Sequence, residues 1–519
     1  MLTNDDNFVY FKAQHKFGKQ LNASYLQSKK LYRIPMNIYA LRELYKVLPE
    51  YREQIKELGL RESDKLKHLF DIKHEVYDDR LREYQNEDIE FLDKLSGRGV
   101  FNEQRTGKTP TTLISLRESQ ASKVLIICPS SLAQNWKKEC AEWINKDVVV
   151  IRGTAKKRTK LIEEFNSTGG VAITSYGTLR EDVDKYVTPI ESVIVDEAHI
   201  LRNRQTKQTK SILKVAKGSK RRYALTGTPS VNHASDVFGI LHFLEPTKYP
   251  SYWQFVERYF NLYPSAYTEY EVAGMKDERI NEWLNILSTT ATQRKRKDIM
   301  KWLPEIQVQK IPLEMEATQR KAYNEMQETF TTGDVSAMNQ LAQLVRLRQI
   351  SLAPELLGLK GSSPKIEFVL DYIENNPDTP IVIFSQFTSF LKLISKYLKC
   401  PHEMLIGETK DKDGAVRAFQ SGRVSLLLAN VKVGGVGHTM DRGEVLIFTD
   451  RSFSPMENAQ AGDRIVPTTE DKAKDSKLII DLIMENSVDE RILELLDKKE
   501  NIISYVNDFG LKKLLRGGD

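Results

Sequence analysis

Two series of short apolar runs, rich in β-branched residues or leucine, constrain this chain more than any other feature. The first comprises 123-KVLIICP-129, 147-DVVVIRG-153, 171-VAITSYG-177, 192-SVIVDEA-198 and 221-RRYALTG-227. The second comprises 380-PIVIFSQ-386, 423-RVSLLLAN-430, 444-EVLIFTD-450 and 477-KLIIDLI-483. A strand without polar alternation has to be covered on both faces, and amphipathic helical stretches lie between the runs, as crossovers between parallel strands require. The expected fold class is therefore α/β, with two tandem parallel-sheet domains. Residues 76–235 and 361–519 are read as the two lobes, and 236–360, poor in strand candidates, as a helical protrusion and linker. A charged, aromatic segment, 1–75, precedes them as a small accessory domain. Within it 29-KKLYRIPM-36 reads as a strand or hairpin edge and Asn37 to Leu60 as helix.

Composition closes off several classes. With 40% hydrophobic and 29% charged residues in 519, the chain reads as soluble and globular. No apolar run approaches the roughly 18 residues that span a bilayer, and MLTNDDNFVYFK lacks the basic-then-apolar order of a secretory signal. Cys128, Cys140 and Cys400 have no paired spacing, so neither a disulfide framework nor a zinc site is indicated, and a reducing cytoplasmic compartment is expected. The net charge of +6 is small for this length, but basic clusters stand at 156–160, 217–223 and 294–297.

The stretch 101-FNEQRTGKTPTT-112 ends like a phosphate-binding loop, although Asn102 stands where the first glycine of G-x-x-x-x-G-K-[S/T] belongs. It follows a short strand and opens a helix, so backbone N–H groups and the helix dipole would face phosphates. Lys108 would meet the β- and γ-phosphates and Thr109 a Mg²⁺ ion. About ninety residues later, a β-branched run delivers Asp196 and Glu197 to a strand end. Asp196 can hold Mg²⁺ through water, and Glu197 can orient and deprotonate an attacking water.

At this point the chain resembles the superfamily-two helicases, and within them the SWI/SNF-type DNA-dependent ATPases, over roughly residues 78–497. NEQRTGKT occupies the place of the family's DEMGLGKT, and 81-LREYQNEDIEFL-92 is similar to the segment whose glutamine, here Gln85, contacts adenine. The stretches 125-LIICPSSLAQNWKKE-139 and 173-ITSYGTL-179 resemble DNA-facing segments; DEAH at 196–199 and 223-YALTGTPSVN-232 match the hydrolysis and lobe-linking motifs. In the second lobe, 381-IVIFSQFTSFL-391, 426-LLLANVKVGGVGHTM-440 and 450-DRSFSPMENAQAGDR-464 follow in the family's order. The resemblance implies tandem RecA-like lobes using ATP and Mg²⁺. It implies nucleotide contacts from Gln85, Thr106, Gly107, Lys108, Thr109, Gly435 and Arg464, and metal contacts from Thr109 and Asp196. Catalysis would fall to Lys108, Glu197, Gln460 and Arg464, and coupling to His199, Thr226 and Thr228. Nucleic acid would be met by Ser130, Ser175, Arg294, Lys295, Lys432 and Gly434. The helical-region matches 292-TQRKRKDIMKWLPE-305, 343-QLVRLRQISLAPELL-357 and 363-SPKIEFVLDYI-373 imply tracking on double-stranded DNA.

The pattern breaks at one place. The family's QAxDRxxR appears as 460-QAGDRIVP-467, so Arg464 is kept and Pro467 replaces the second arginine. Three readings stay open: a slow or partner-dependent ATPase, another arginine such as Arg451 or Arg442 reaching the site, or sufficiency of Arg464. The amino-terminal segment is faintly like the small module of annealing helicases that binds branched DNA, with Tyr32 and Arg33 as contact candidates; packing on the first lobe is the alternative. The expected function is an ATP-dependent double-stranded DNA translocase acting on replication, recombination or repair intermediates. The alternatives are a strand-separating helicase and an ATP-binding DNA clamp that barely hydrolyses. A bacterial or phage-infected cytoplasm, at the nucleoid, is the expected setting, with no membrane partner.

Overall fold

The computed structural model describes residues 2–497 except 5–7, 15–16, 19–20, 22, 36–37, 63–74, 96, 230–233, 265–269, 435–438, 468, 471–472 and 474–476. Its internal contacts divide the chain into two units, Met1–Ile299 and Met300–Asp519.

The first unit opens with an antiparallel sheet, ordered β1-β2-β4-β3, of β1 (Leu2–Asn4), β2 (Phe8–Phe11), β3 (Ser24–Leu26) and β4 (Leu31–Pro35). Helices α1 (Ile38–Val47) and α2 (Arg52–Glu62) follow, separated at Pro49. Alternation along β2 and β4 sends Val9, Phe11, Tyr32 and Ile34 inward, where they share one core with Leu41, Leu44, Val124, Ile126 and Ile194. Tyr32, a candidate for base stacking, thus lies in the core, its ring centroid 6.0 Å from that of Phe11. The amino-terminal sheet packs on the lobe that follows it.

That lobe is a sheet ordered β13-β5-β10-β9-β6-β8-β7. Its strands are β5 (Gly97–Val100), β6 (Lys123–Cys128), β7 (Val148–Ile151), β8 (Gly170–Ser175), β9 (Ser192–Asp196), β10 (Arg221–Leu225) and, after a hairpin of β11 (Phe260–Pro264) and β12 (Tyr270–Met275), β13 (Ala291–Thr292). All its pairings are parallel. Along β6, Val124 and Ile126 enter one core and Leu125 and Ile127 the other, which is why the run carries no polar alternation. Helices α3 (Glu83–Asp93), α4 (Lys108–Glu118) and α5 (Ala133–Ile144) set the site.

The second unit is also a parallel sheet, ordered β14-β21-β20-β17-β19-β18. It contains β14 (Ile306–Leu313), then beyond a small hairpin of β15 (Thr331–Thr332) and β16 (Val335–Ser336), β17 (Ile381–Ser385), β18 (His402–Leu405), β19 (Leu426–Asn430), β20 (Val445–Phe448) and β21 (Lys477–Met484). Here too β17 divides its side chains, Ile381 and Ile383 to one core, Val382 and Phe384 to the other. No helix among the described residues is long and apolar enough to cross a membrane.

Candidate nucleotide site

In an open parallel sheet, ligands bind beyond the carboxyl ends of the strands. In the first unit, Asp196 and Ser175 end β9 and β8 at that edge, and Lys108, Thr226 and Ser130 follow the ends of β5, β10 and β6 there. The loop after β5 turns into α4 through Arg105 (φ 63°) and Gly107 (φ 73°), both left-handed. Glycine is required at 107 twice over. A β-carbon there would be strained by that φ and would lie 2.4 Å from the Gln85 side-chain nitrogen. The loop is tied down on all sides: Thr106 Oγ1 donates to the Glu103 carbonyl (2.7 Å) and Tyr84 Oη to the Thr106 carbonyl (2.9 Å). Lys108 Nζ rests on the carbonyls of Asn102 and Glu103, at 3.1 and 3.2 Å. Thr109 follows, half-buried, in the first turn of α4.

Gln85 joins α3 to this loop. Its Oε1 accepts from the Arg82 backbone N–H (3.0 Å), closing the start of α3, while its Nε2 donates to the Gly107 carbonyl (3.2 Å).

At the end of β9 the Asp196 carboxylate accepts from the Trp136 indole N–H on α5 (2.8 Å) and from the Glu197 backbone N–H (2.9 Å). Glu197 is left-handed (φ 52°), a strained conformation for a side-chain-bearing residue and one concentrated at functional sites. Burial, then the neighbouring Glu197 carboxylate, push the Asp196 carboxyl up to about 6, against the opposing effects of the Trp136 hydrogen bond and the Lys108 charge. The Tyr176 hydroxyl donates to the Asp196 carbonyl, and burial raises its pKa well above the usual phenol. His199 Nδ1 lies 3.3 Å from Glu197 Oε2. Thr226, fully buried, accepts from the Thr228 backbone N–H (3.1 Å) and donates its own N–H to the Val100 carbonyl (3.1 Å).

An adjacent carboxylate pair facing an ammonium, with a hydroxyl at Thr109, is a hard oxygen set that suits Mg²⁺ bound together with phosphates and water. Among the described residues no group of three or more His, Cys, Asp or Glu is placed to hold a metal unaided. The cradle at Gly107 and a lysine parked on carbonyl oxygens suit a phosphate chain.

The residues expected to meet nucleic acid fall into two kinds. Ser130, Lys295 and Lys432 are exposed, whereas the Ser175 hydroxyl caps the helix Tyr176–Asp182 by accepting from the Thr178 N–H (3.2 Å). The Arg294 guanidinium donates to Asp88 (2.9 Å) and Glu87 (2.9 Å) on α3. Gly434 is buried, and a β-carbon there would lie 2.6 Å from the Phe384 ring, so its close approach is to a side chain of its own unit. Gly435 lies outside the described residues.

In the second unit Gln460 is buried in the helix Pro455–Gly462 and Arg464 is half-buried just beyond it, its carbonyl accepting from the Met440 N–H (2.9 Å). Pro467 is buried. The two alternative arginines are engaged elsewhere: Arg451 forks onto Asp481 (2.6 and 2.8 Å), and Arg442 donates to the carbonyls of Phe419 and Val424 (3.1 Å each). Two motif cations that the sequence left without a role pin the carboxyl end of β20. Arg348 binds Asp450 (2.7 Å), and Lys365, wholly buried, binds the Thr449 carbonyl and Asp489 (2.6 Å each).

A candidate phosphate loop and an acidic pair on one sheet edge, followed by a second parallel-sheet lobe, have the architecture of a tandem RecA-like core. The chain belongs to the SNF2-related family: the SNF2-related domain matches residues 26–356, and the helicase conserved C-terminal domain matches 364–466. An uncharacterized ATP-dependent helicase of Mycoplasma pneumoniae is 26% identical over 97% of this chain and 47% of its own length. A probable global transactivator of Orgyia pseudotsugata multicapsid polyhedrosis virus is 25% identical over 82% of this chain and 91% of its own. The Sulfolobus solfataricus SWI2/SNF2 ATPase core, solved in complex with dsDNA, is similar at 23% identity with a TM-score of 0.39, covering 84% of this chain and 95% of that one. The chain spans less than half the length of the Mycoplasma relative.

Proposed function

We propose that this chain hydrolyses ATP and uses the cycle to move along double-stranded DNA at replication, recombination or repair intermediates. The observation that carries the reading is the convergence of the Lys108 loop and the Asp196–Glu197 pair on one sheet edge, in a chain of the SNF2-related family. In this reading the start of α4 receives the phosphates on its N–H groups, and Lys108 leaves the carbonyls of residues 102 and 103 for the β- and γ-oxygens. Thr109 and Asp196 would hold Mg²⁺, which when bound supplies neutralising charge to the phosphates. Glu197 orients and deprotonates the attacking water, and His199 beside it communicates the change. Gln460 and Arg464 are the residues of the second unit that the family's motif would assign to hydrolysis, with Arg464 as the arginine proposed to stabilise the transferring phosphoryl group.

DNA contacts of this kind are sequence-independent and salt-sensitive, supplied by exposed cations such as Lys295 and Lys432 and by Ser130. The amino-terminal segment adds to them. From Asn7 to Arg42 it carries Lys12, Lys16, Lys19, Lys29, Lys30, Arg33 and Arg42 and no acidic residue. Arg33 lies on the outer side of its sheet, opposite inward Tyr32, with its guanidinium carbon 4.5 Å from the centre of the Phe8 ring.

ATP turnover measured with single strands, duplexes, forks and RNA tests the reading. Duplex DNA is expected to stimulate hydrolysis, and Lys108→Ala or Glu197→Gln to lower it at least about a hundredfold. Stimulation by RNA with duplex DNA inert would overturn it. Displacement of a strand from simple tailed duplexes would assign unwinding rather than translocation alone.

A further inference from the structure

Arg294 sits where the chain prepares to leave the first unit, which ends at Ile299. The segment before that exit is laced to the phosphate loop along its backbone. Strand β13 pairs with β5, and the ladder runs on past the strand: Phe101 N–H donates to the Thr292 carbonyl (2.9 Å), Glu103 N–H to the Arg294 carbonyl (2.9 Å). The Arg296 N–H returns a bond to the Glu103 carboxylate (2.7 Å).

The Arg294 side chain makes a second connection between the same partners. Its guanidinium bridges Glu87 and Asp88 on α3, the helix that carries Gln85, and only 16% of the side chain is exposed. The other oxygen of Asp88 accepts from the buried Asn102 amide (2.8 Å). Asn102 and Glu103 are the residues whose carbonyls hold Lys108. A continuous relay therefore runs Arg294, Asp88, Asn102, Lys108, and each link is a hydrogen bond to a charged group in a poorly solvated site, where such bonds are strong. It also accounts for asparagine where other phosphate loops carry glycine: a glycine at 102 would leave one Asp88 oxygen without its amide partner.

We infer that Arg294 is a positioning residue, which fixes the phosphate loop to the chain segment leading into the second unit and thereby sets nucleotide affinity. This rests on the nucleotide site proposed above and gives Arg294 a role other than DNA contact. A phosphate-contacting arginine and a loop-positioning arginine leave different signatures. Loss of the first weakens DNA binding and lowers the salt slope by about one. Loss of the second weakens nucleotide binding and leaves the slope alone.

The test uses the full chain, a fluorescent ATP analogue with Mg²⁺, and duplex DNA binding measured over a range of salt. Arg294→Ala is expected to weaken analogue binding about tenfold or more, to raise KM for ATP more than it lowers kcat, and to leave the salt slope unchanged. Arg294→Lys, which reaches one carboxylate, should lose about threefold. Asn102→Ala breaks the relay one link further on and should reproduce the Arg294→Ala defect, with the double variant no worse than either. Should Arg294→Ala lack a cooperative melt, Arg294→Lys and Asn102→Ala carry the test. Wild-type analogue affinity in those two variants, or a flattened salt slope with affinity intact, overturns the inference. If the unaltered chain itself fails to bind the analogue, the nucleotide reading falls first, and that outcome is distinct from a normal wild type with indifferent variants.

Discussion

At the scale of single residues, Asp196 carries the most consequential conflict. It is ionisable, mostly withdrawn from water, beside a second carboxylate, and tempered by Trp136 and Lys108. In the unfolded chain its carboxyl has the ordinary value of about 3.9, whereas in the folded protein burial pushes it up to about 6. Between those values the folded state binds more protons than the unfolded one. The stability associated with that proton is complete below the lower value and is lost as pH rises through the upper. At neutral pH the charged Asp196 therefore opposes the nucleotide-free fold, and a metal-bound nucleotide relieves it. Asp196→Asn should raise the melting temperature by a few degrees at pH 7.5, with the gain shrinking at pH 5, while abolishing the stabilisation that Mg²⁺ and ATP give the wild type. Melting curves at the two pH values decide the matter. A gain of equal size at both would mean that the carboxylate's charge is not the cause.

At the scale of elements, the apolar runs were readable because each strand buried on both faces has to be apolar along its whole length. Strands β6, β8, β9, β17 and β19 lie where those runs stand. Strand β14 was missed because its side chains, reading IQVQKIPL, are mostly exposed at the sheet edge and imitate a linker. The site was legible in its residue types but not in its partners. Trp136 looked like part of a DNA-facing segment, and only the fold brings its indole to Asp196. The Arg294–Asp88 pair spans 206 positions, beyond any local pattern. The amino-terminal strands were half legible: KLYRIP gave β4, while alternation alone could not say that Tyr32 faces the lobe's core. Because that core is continuous, Phe11→Ala should lower the stability of the whole first unit by ~3 kcal/mol rather than melt a separate module. Urea unfolding followed by tryptophan fluorescence and by circular dichroism should stay coincident and shift together. An early transition that leaves Trp136 and Trp143 unperturbed would disprove the shared core.

At the scale of the whole molecule, each unit owns its cores. In the first, one core is shared by the amino-terminal sheet and one face of β6, and a second covers the opposite face. In the second, two cores flank β17 and a third gathers Tyr323, Leu344 and Ile492. The first unit also contains every residue of the phosphate loop, the acidic pair, Gln85 and the Arg294 relay, whereas Gln460 and Arg464 belong to the second. Binding and turnover should therefore separate physically. A chain ending at Ile299 is expected to unfold cooperatively and to bind a fluorescent ATP analogue with an affinity within about threefold of the full chain, because the start of α4, Lys108, Thr109 and Asp196, proposed to hold the phosphates and their metal, are all present. It should hydrolyse at least about a thousandfold more slowly, because the arginine proposed to meet the transferring phosphoryl group is missing, and duplex DNA should not restore the rate. Calorimetry, analogue titration and a turnover assay on the same preparation read all three quantities. A fragment that folds and hydrolyses at the full chain's rate would place the whole of catalysis in the first unit and remove Arg464 from it; one that folds without binding the analogue would mean that the loop needs the second unit to be competent.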